Sequence, residues 1–324
     1  MAVQRDPVTR PALSVVVTIV DGAQTLRECL QRLLAQEGAP DIEVIVPVDH
    51  ATRAEAAMSE VFPTVRFIDY GAPFDGVIPT DPLSRHRFFD KRRAIGLEHA
   101  RGDVIAILED CGFPAPGWAS AIIALHQEND EGVIGGAMVQ GIDRLKNWGN
   151  YFCDFSRYHP PLKVKNPEYI TATNISYKRD VIMSVREMWE GKQYQEVKIN
   201  WELRSRGVGM MLDDRATTIS HRHIGSVASL GRELFQWGRI FGQQRASEIG
   251  RLTKAKLMLG MPLIPFVLGV RRFRRQLSKG QNVDKYIKAF PIIFVLLFCH
   301  GMGELLGYIE TPAGGGKGAK AQGE

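Results

Sequence analysis

Polar side chains close three apolar runs in the N-terminal half of this chain: Thr18 to Asp21, Asp49, and the triplet Glu109, Asp110 and Cys111. Carboxylates in such places can bind hydroxyl groups or a hard cation, whereas the Cys111 thiol is a poor ligand for a cation such as Mg²⁺. Asp21 and Asp49 equally suit turns or helix caps. Further on, Glu196 opens a helical pattern, where the helix dipole favours an acid. His221 and His223 flank Arg222 after Thr217 to Ile219, and residues two apart on a strand share a face. Cys29, Cys111, Cys153 and Cys299 form no CxxC pair, which argues against a zinc knuckle or a disulfide framework and for a reducing compartment.

The elements that must position these groups alternate. Leu13 to Val20, Ile42 to Val48, Val65 to Ile68 and Val104 to Leu108 read as strands. Between them Leu26, Cys29, Leu30, Leu33 and Leu34 recur at helical spacing, Ala54 to Val61 reads as a short helix, and Arg87 to Ala100 as a longer one. Strands apolar throughout and separated by helices predict an α/β fold, a parallel sheet covered on both faces. Ligands bind such sheets at the carboxyl ends of the strands, which is where the polar groups above fall. After Gly132 the alternation loosens. Val133 to Val139, Tyr169 to Tyr177 and Met210 to Asp213 read as strands, and Val197 to Arg206 as a helix.

Charge is unevenly placed. Of the net +5, residues 251–288 carry ten basic side chains against the single acid Asp284, which leaves the remainder mildly acidic. This basic segment borders two apolar stretches, Leu257 to Val270 and Ala289 to Ile309, a pattern suited to an anionic membrane surface. The composition, 44% hydrophobic and 24% charged, excludes a disordered or collagen-like chain. Met1 to Pro11 lacks the order of a signal peptide, so the bulk of the chain is expected in the cytosol.

The segments SVVVTIVDGAQTLRECLQRLLAQ, IEVIVPVDHAT and RRAIGLEHARGDVIAILEDCGFPAPGW resemble the nucleotide-binding half of family 2 glycosyltransferases. TATNISYKRD, YQEVKINWELRSRG and SHRH follow in the order of that family's acceptor half. The resemblance spans Leu13 to Arg245 and implies a GT-A fold, a Rossmann-like, mostly parallel sheet with helices on both faces, followed here by apolar C-terminal helices. It implies that Thr18, Asp21 and Asp49 frame the nucleobase, that Glu109 contacts the ribose, and that Arg93 reaches the diphosphate. Glu109, Asp110 and Cys111 stand at the family's Asp-x-Asp motif, so Asp110 with His221, or with His223 as alternate, would hold a divalent cation, Mg²⁺ or Mn²⁺. Glu196 stands at the base that deprotonates the acceptor, and Trp118, Gln236, Trp237 and Arg239 on the acceptor side. Cys111 replaces the motif's second carboxylate, Ala94 an Asn, and Gln195 an acid.

Two function classes follow. The first is inverting transfer of a sugar from a nucleoside-diphosphate donor to a glycan or lipid-linked acceptor at the cytoplasmic face of the cell membrane, with membrane lipids as partners. The second is a non-catalytic GT-A-like scaffold with a degenerate metal site, which the three substitutions favour. Nucleic acid is not an expected partner, since no recognition motif or aromatic interleaving accompanies the basic segment. The expected domains are a GT-A body over 1–250, a basic membrane-associating helical region over 251–311, and a disordered tail over 312–324. Ala289 to Ile309, 21 residues, is long enough to span a hydrocarbon core of about 30 Å. Pro291, His300, Glu304 and three glycines count against it, and Leu257 to Val270, at 14 residues with Pro262 and Pro265, is expected to lie in the interface or to re-enter.

Overall fold

The computed structural model describes residues 10–38 and 41–313. The expectations placed on Met1 to Thr9 and on 314–324 of the tail lie outside the described residues. The chain divides into two units: Met1–Gly141 with Tyr158–Arg222, and Ile142–Arg157 with His223–Glu324. The expected boundary at Gly250 falls inside the second.

The first unit is built on one sheet of β1 (Leu13–Thr18), β2 (Ile42–Val48), β3 (Arg66–Asp69), β4 (Val104–Glu109), β5 (Gly112–Pro114), β6 (Val133–Gln140), β7 (Lys163–Lys165), β8 (Asn174–Lys178) and β9 (Met210–Ser220). The order is β3-β2-β1-β4-β8-β6-β9-β5, with β7 also on β9. The first four strands are parallel, β8 is antiparallel to β4 and β6, and β6 runs parallel to β9. Every residue of β1 is buried, as its run of β-branched residues requires for a central strand.

Helices α1 (Ala23–Leu34), α2 (Arg53–Ala56), α3 (Pro82–His99), α4 (Trp118–Glu128), α6 (Arg179–Met183) and α7 (Glu196–Ser205) belong to this unit; α5 (Leu145–Asp154) belongs to the other. α1 buries Leu26, Cys29, Leu30 and Leu33 of the predicted stripe in one core with β1, β2 and β4, whereas Leu34 is exposed. α3 starts earlier than predicted. Asp81 caps it by accepting from the Leu83 and Ser84 amides, and Pro82 takes the first turn, where its missing N–H does no harm. Gly96 lets α3 lie on β1, since a Cβ there would sit 2.1 Å from Val16 Cγ1.

The strand expected over Tyr169 to Tyr177 begins only at Asn174, because side chains engage the preceding amides. Ile170 N–H donates to Asn200 Oδ1, Thr171 N–H to the Tyr158 hydroxyl, and Ala172 N–H to Glu196 Oε2.

In the second unit, α8 (Val227–Glu248), α9 (Arg251–Gly260), α10 (Ile264–Lys279) and α11 (Val283–Glu310) join α5. The first apolar stretch is longer than the sequence suggested, because a 3₁₀ turn links α9 to α10 in a helical run of 29 residues. α8 and α11 cross at glycines. A Cβ on Gly303 would lie 1.9 Å from Phe235 O, on Gly307 2.1 Å from Arg239 O, and on Gly238 2.0 Å from His300 O. These glycines are thus contact points, of the small-residue kind that lets helix backbones approach. Glu304 is buried in the same contact, accepting from the Tyr308 hydroxyl at 2.6 Å with Arg245 at 3.7 Å. Gly303→Ala is expected to destabilise this helix pair by about 3 kcal/mol, since a backbone carbonyl cannot yield as a side chain does. Limited proteolysis within α8 checks it, and unchanged protection would refute it.

Candidate active site

Parallel register brings the polar strand ends together. Thr18 pairs with Glu109 across β1 and β4, and β2 delivers Asp49 one residue past Val48. The Asp110 amide donates to Thr18 O at 2.9 Å, while the Thr18 hydroxyl is buried without a partner among the described residues.

The Asp110 side chain turns away from its neighbours and into the start of α1. Its carboxylate accepts from Val20 N (2.9 Å), Asp21 N (3.1 Å), Gly22 N (2.9 Å) and Thr25 Oγ1 (3.1 Å). α1 has no cap from its own N-cap residue, Gly22, so a carboxylate nearly ninety residues away satisfies the amides leading into it. The resemblance expected Asp110 to hold a cation; here its two carboxylate oxygens are engaged by these four donors. Asp110 lies in the turn after β4, and there its side chain meets the start of α1 while Glu109 meets Arg93. Asp21, expected at the nucleobase, contributes its backbone N–H to the same knot.

Asp49 is 1% exposed and fully engaged. Arg92 donates to it through Nε at 2.9 Å and Nη2 at 3.2 Å, Tyr70 OH at 2.7 Å and Ala51 N at 2.8 Å. Burial works against ionisation, but Arg92 and the other donors hold this carboxyl below the usual carboxylate range. The capping reading holds here, and the expected nucleobase contact would require Arg92 to leave. The adjacent His50 was missed: both ring nitrogens are buried with no partner among the described residues, and the ring lies 5.6 Å from Phe88. Its only sequence signal was its place after a strand end.

A second cluster surrounds Arg93, which is 2% exposed. Nη1 donates to Asp90 Oδ1 at 2.9 Å and Nη2 to Glu109 Oε1 at 2.6 Å. Arg93 therefore ties α3 to the end of β4, with both terminal nitrogens engaged by carboxylates. Glu196, first residue of α7, is fixed by the Ala172 amide at 2.6 Å. Burial raises its pKa; Arg93 and the Ala172 amide pull back, and Glu109 adds to the rise. Burial likewise pushes Asp90 up to about 7, with Arg93 opposing and Glu196 and Glu109 reinforcing. Arg93 thus binds two of these carboxylates directly and acts electrostatically on the third. Asp90 was not singled out in the sequence, where it reads as one more charge of FFDKRR.

Cys111 is buried, and burial beside Glu109 and Asp110 keeps its thiol protonated, with a pKa well above the ordinary value. His221 donates its backbone N–H to Cys111 O at 2.7 Å and stacks on Phe113, ring centroids 4.5 Å apart. Among the described residues no three His, Cys, Asp or Glu side chains converge to hold a metal ion.

Trp118 also departs from expectation. It is fully buried in the core beneath the sheet, donating Nε1–H to Asn174 Oδ1 at 3.1 Å, and cannot face an acceptor. Gln236, Trp237 and Arg239 lie on α8 in the second unit. Gln236 is exposed, Trp237 half-buried, and Arg239 bonded to Glu310 at 2.7 Å.

The family description Glycosyl transferase family 2 matches residues 14–186. Among solved structures, the chain resembles the mannosyltransferase PcManGT from Pyrobaculum calidifontis in complex with GDP-Man and Mn²⁺, with a TM-score of 0.48 and 14% identity over 88% of this chain and 75% of that one. No curated protein matches the chain.

Proposed function

The chain belongs to glycosyl transferase family 2 and is a glycosyltransferase of the GT-A fold, and from this we propose that it transfers a sugar with inversion from a nucleoside-diphosphate donor to a glycan or lipid-linked acceptor at the cytoplasmic face of the membrane. The observation that carries the proposal is the placement of Glu196. Its carboxylate is fixed by a backbone amide and electrostatically coupled to Arg93 and Glu109, which ends β4. In the proposed step the acceptor hydroxyl gives its proton to Glu196 as its oxygen bonds to the anomeric carbon. The bond from that carbon to the diphosphate oxygen breaks, and the nucleoside diphosphate leaves with the electron pair. The buried Thr18 hydroxyl and the His50 ring are, among the described residues, polar groups without partners near the carboxyl ends of β1 and β2, where the proposed donor would bind. The donor set does not fit a hard cation, so no step passes through one.

Membrane attachment is supported by two helical runs long and apolar enough to cross a bilayer, Arg251–Lys279 and Val283–Glu310. Leu259, Leu263, Phe266, Val267, Val295 and Phe298 are exposed on them. The burial of Glu304 against α8 removes the objection that it would face lipid. The basic residues of α10 suit an anionic cytoplasmic leaflet.

Two assays test the proposal. Incubation with a panel of nucleotide sugars should release free nucleotide with at least one. No release from any would favour the scaffold reading, to which the engaged Asp110 and the protonated Cys111 lend support. Fractionation should leave the full-length protein in membranes until detergent is added, and recovery in the low-salt soluble fraction would refute attachment.

A further inference from the structure

The inner face of α10 holds two polar side chains where a packed helix usually buries apolar ones. Pro265, Gly269 and Gln276 are its buried residues, and the half-buried Arg272 falls between the last two on the same face, since residues three and four apart on a helix are neighbours. α11 lies against that face. The Tyr286 hydroxyl donates to Gly269 O at 2.8 Å, and the Tyr286 ring meets Phe273 at 5.5 Å and Phe152 of α5 at 5.0 Å between centroids. In this aromatic setting Arg272 Nη1 and Gln276 Oε1 are both buried with no hydrogen-bond partner among the described residues. Gln276 Nε2 donates to Gln281 O, which fixes the amide and leaves its oxygen as the end to be satisfied. Polar groups buried in this way are costly, most of all a charged one. A ligand with an acceptor for Arg272 and a donor for Gln276 relieves both.

The place of the two residues along the helix narrows the ligand. Ile264 to Val270 is apolar, Arg271 to Arg275 carries four arginines, and α11 brings Lys285 and Lys288 ahead of its own apolar run. Phe266, Val267 and Val270 are exposed beside them. In a bilayer the change from apolar to basic residues lies at headgroup level, where the abundant anion is a lipid phosphate. A guanidinium offers forked donors that match phosphate oxygens, and a headgroup hydroxyl supplies the donor for Gln276.

We propose that Arg272 and Gln276 form a headgroup site for an anionic phospholipid, the guanidinium binding its phosphate and the amide oxygen accepting from a headgroup hydroxyl. This rests on the membrane reading above and is independent of the sugar donor.

Calorimetric titration of the full-length protein, solubilised in a non-ionic detergent, with short-chain phosphatidylglycerol decides it. Without a bilayer there is no surface potential, so a loss of affinity reports the site rather than bulk charge. Arg272→Gln should weaken binding by about tenfold or more, as loss of a charge-assisted pair does, and Gln276→Met by about fivefold. Arg274→Gln removes the same charge from an exposed position and should bind within about twofold of the parent. The lipid should raise the Tm of the parent but not of Arg272→Gln, whose lipid-free Tm should be no lower than the parent's. Parental binding by Arg272→Gln or Gln276→Met, an equal loss in Arg274→Gln, or a lower lipid-free Tm in Arg272→Gln would each overturn the site. Equally tight binding of glycerol phosphate would assign it to a free phosphate, and equally tight binding of short-chain phosphatidylcholine would reduce it to apolar contact; either result overturns the proposal. Recovery of the full-length protein in the low-salt soluble fraction would overturn attachment and this site together, whereas membrane-bound protein with parental binding by Arg272→Gln overturns the site alone.

Discussion

Replacement of Glu196 by Gln is expected to lower the transfer rate by on the order of 10² or more while leaving donor affinity nearly unchanged, because proton acceptance from the acceptor matters only in the transition state. Gln keeps the shape and can still accept from the Ala172 amide at the position Oε2 now occupies, so α7 should fold normally. The pH profile provides a second measurement. Burial raises the pKa of Glu196, with Arg93 and the Ala172 amide opposing and Glu109 reinforcing. A base works ionised, so activity should fall as pH drops through this raised pKa, and the acid limb should lie above the range of an exposed Glu, about 4.3. Asp90, pushed up to about 7 by the same burial, titrates with it, so the limb belongs to the cluster rather than to one residue. In Glu196→Gln that limb should be lost from the residual activity. A variant with parental rate and profile would remove Glu196 from the chemistry.

Asp110→Ala should have the largest effect on stability. The carboxylate is fully buried and accepts from three consecutive amides and the Thr25 hydroxyl. Truncation leaves these donors unsatisfied at once, and with one to three kcal/mol the usual cost of each such group, a total of at least about 3 kcal/mol is expected. That corresponds to a fall in Tm of roughly 6–12 °C, measurable by calorimetry on the full chain. Asp110→Asn should fall between, since an amide keeps one acceptor but turns a donor towards the Val20 to Gly22 amides. If Asp110 were a cation ligand, the Asn variant would keep its Tm and lose a metal-dependent affinity, so the two measurements separate the roles.

Hydrophobic periodicity alone determined the first half of this fold. β1, β2 and β4 and helix α1 fall where the apolar runs and the helical stripe put them, because a strand buried on both faces tolerates no polar interruption. From the same pattern it followed that the polar residues closing those strands gather at one edge, and the register of Thr18 with Glu109 bears this out. The segments quoted for the resemblance likewise identified the glycosyltransferase family.

What each polar group does at that edge was decided only by tertiary structure. Asp110 and Glu109 are adjacent letters of one motif, yet Glu109 ends β4 and binds Arg93 while Asp110, in the turn that follows, binds the amides leading into α1. Asp49 was expected at the nucleobase, but Arg92, forty-three residues on, binds its carboxylate, and Trp118 was expected on the acceptor side, but its indole donates to Asn174 in the core. The same limit explains α11. Glu304 and the glycines read as defects in a membrane span, because a single sequence does not show which face of a helix meets another, and packing against α8 makes them its contact surface. Local pattern fixes where a residue lies along its own element. Its partner is set by segments far away in sequence, whose approach depends on the whole core, and it is the partner that turns a carboxylate into a cap, an ion pair or a base.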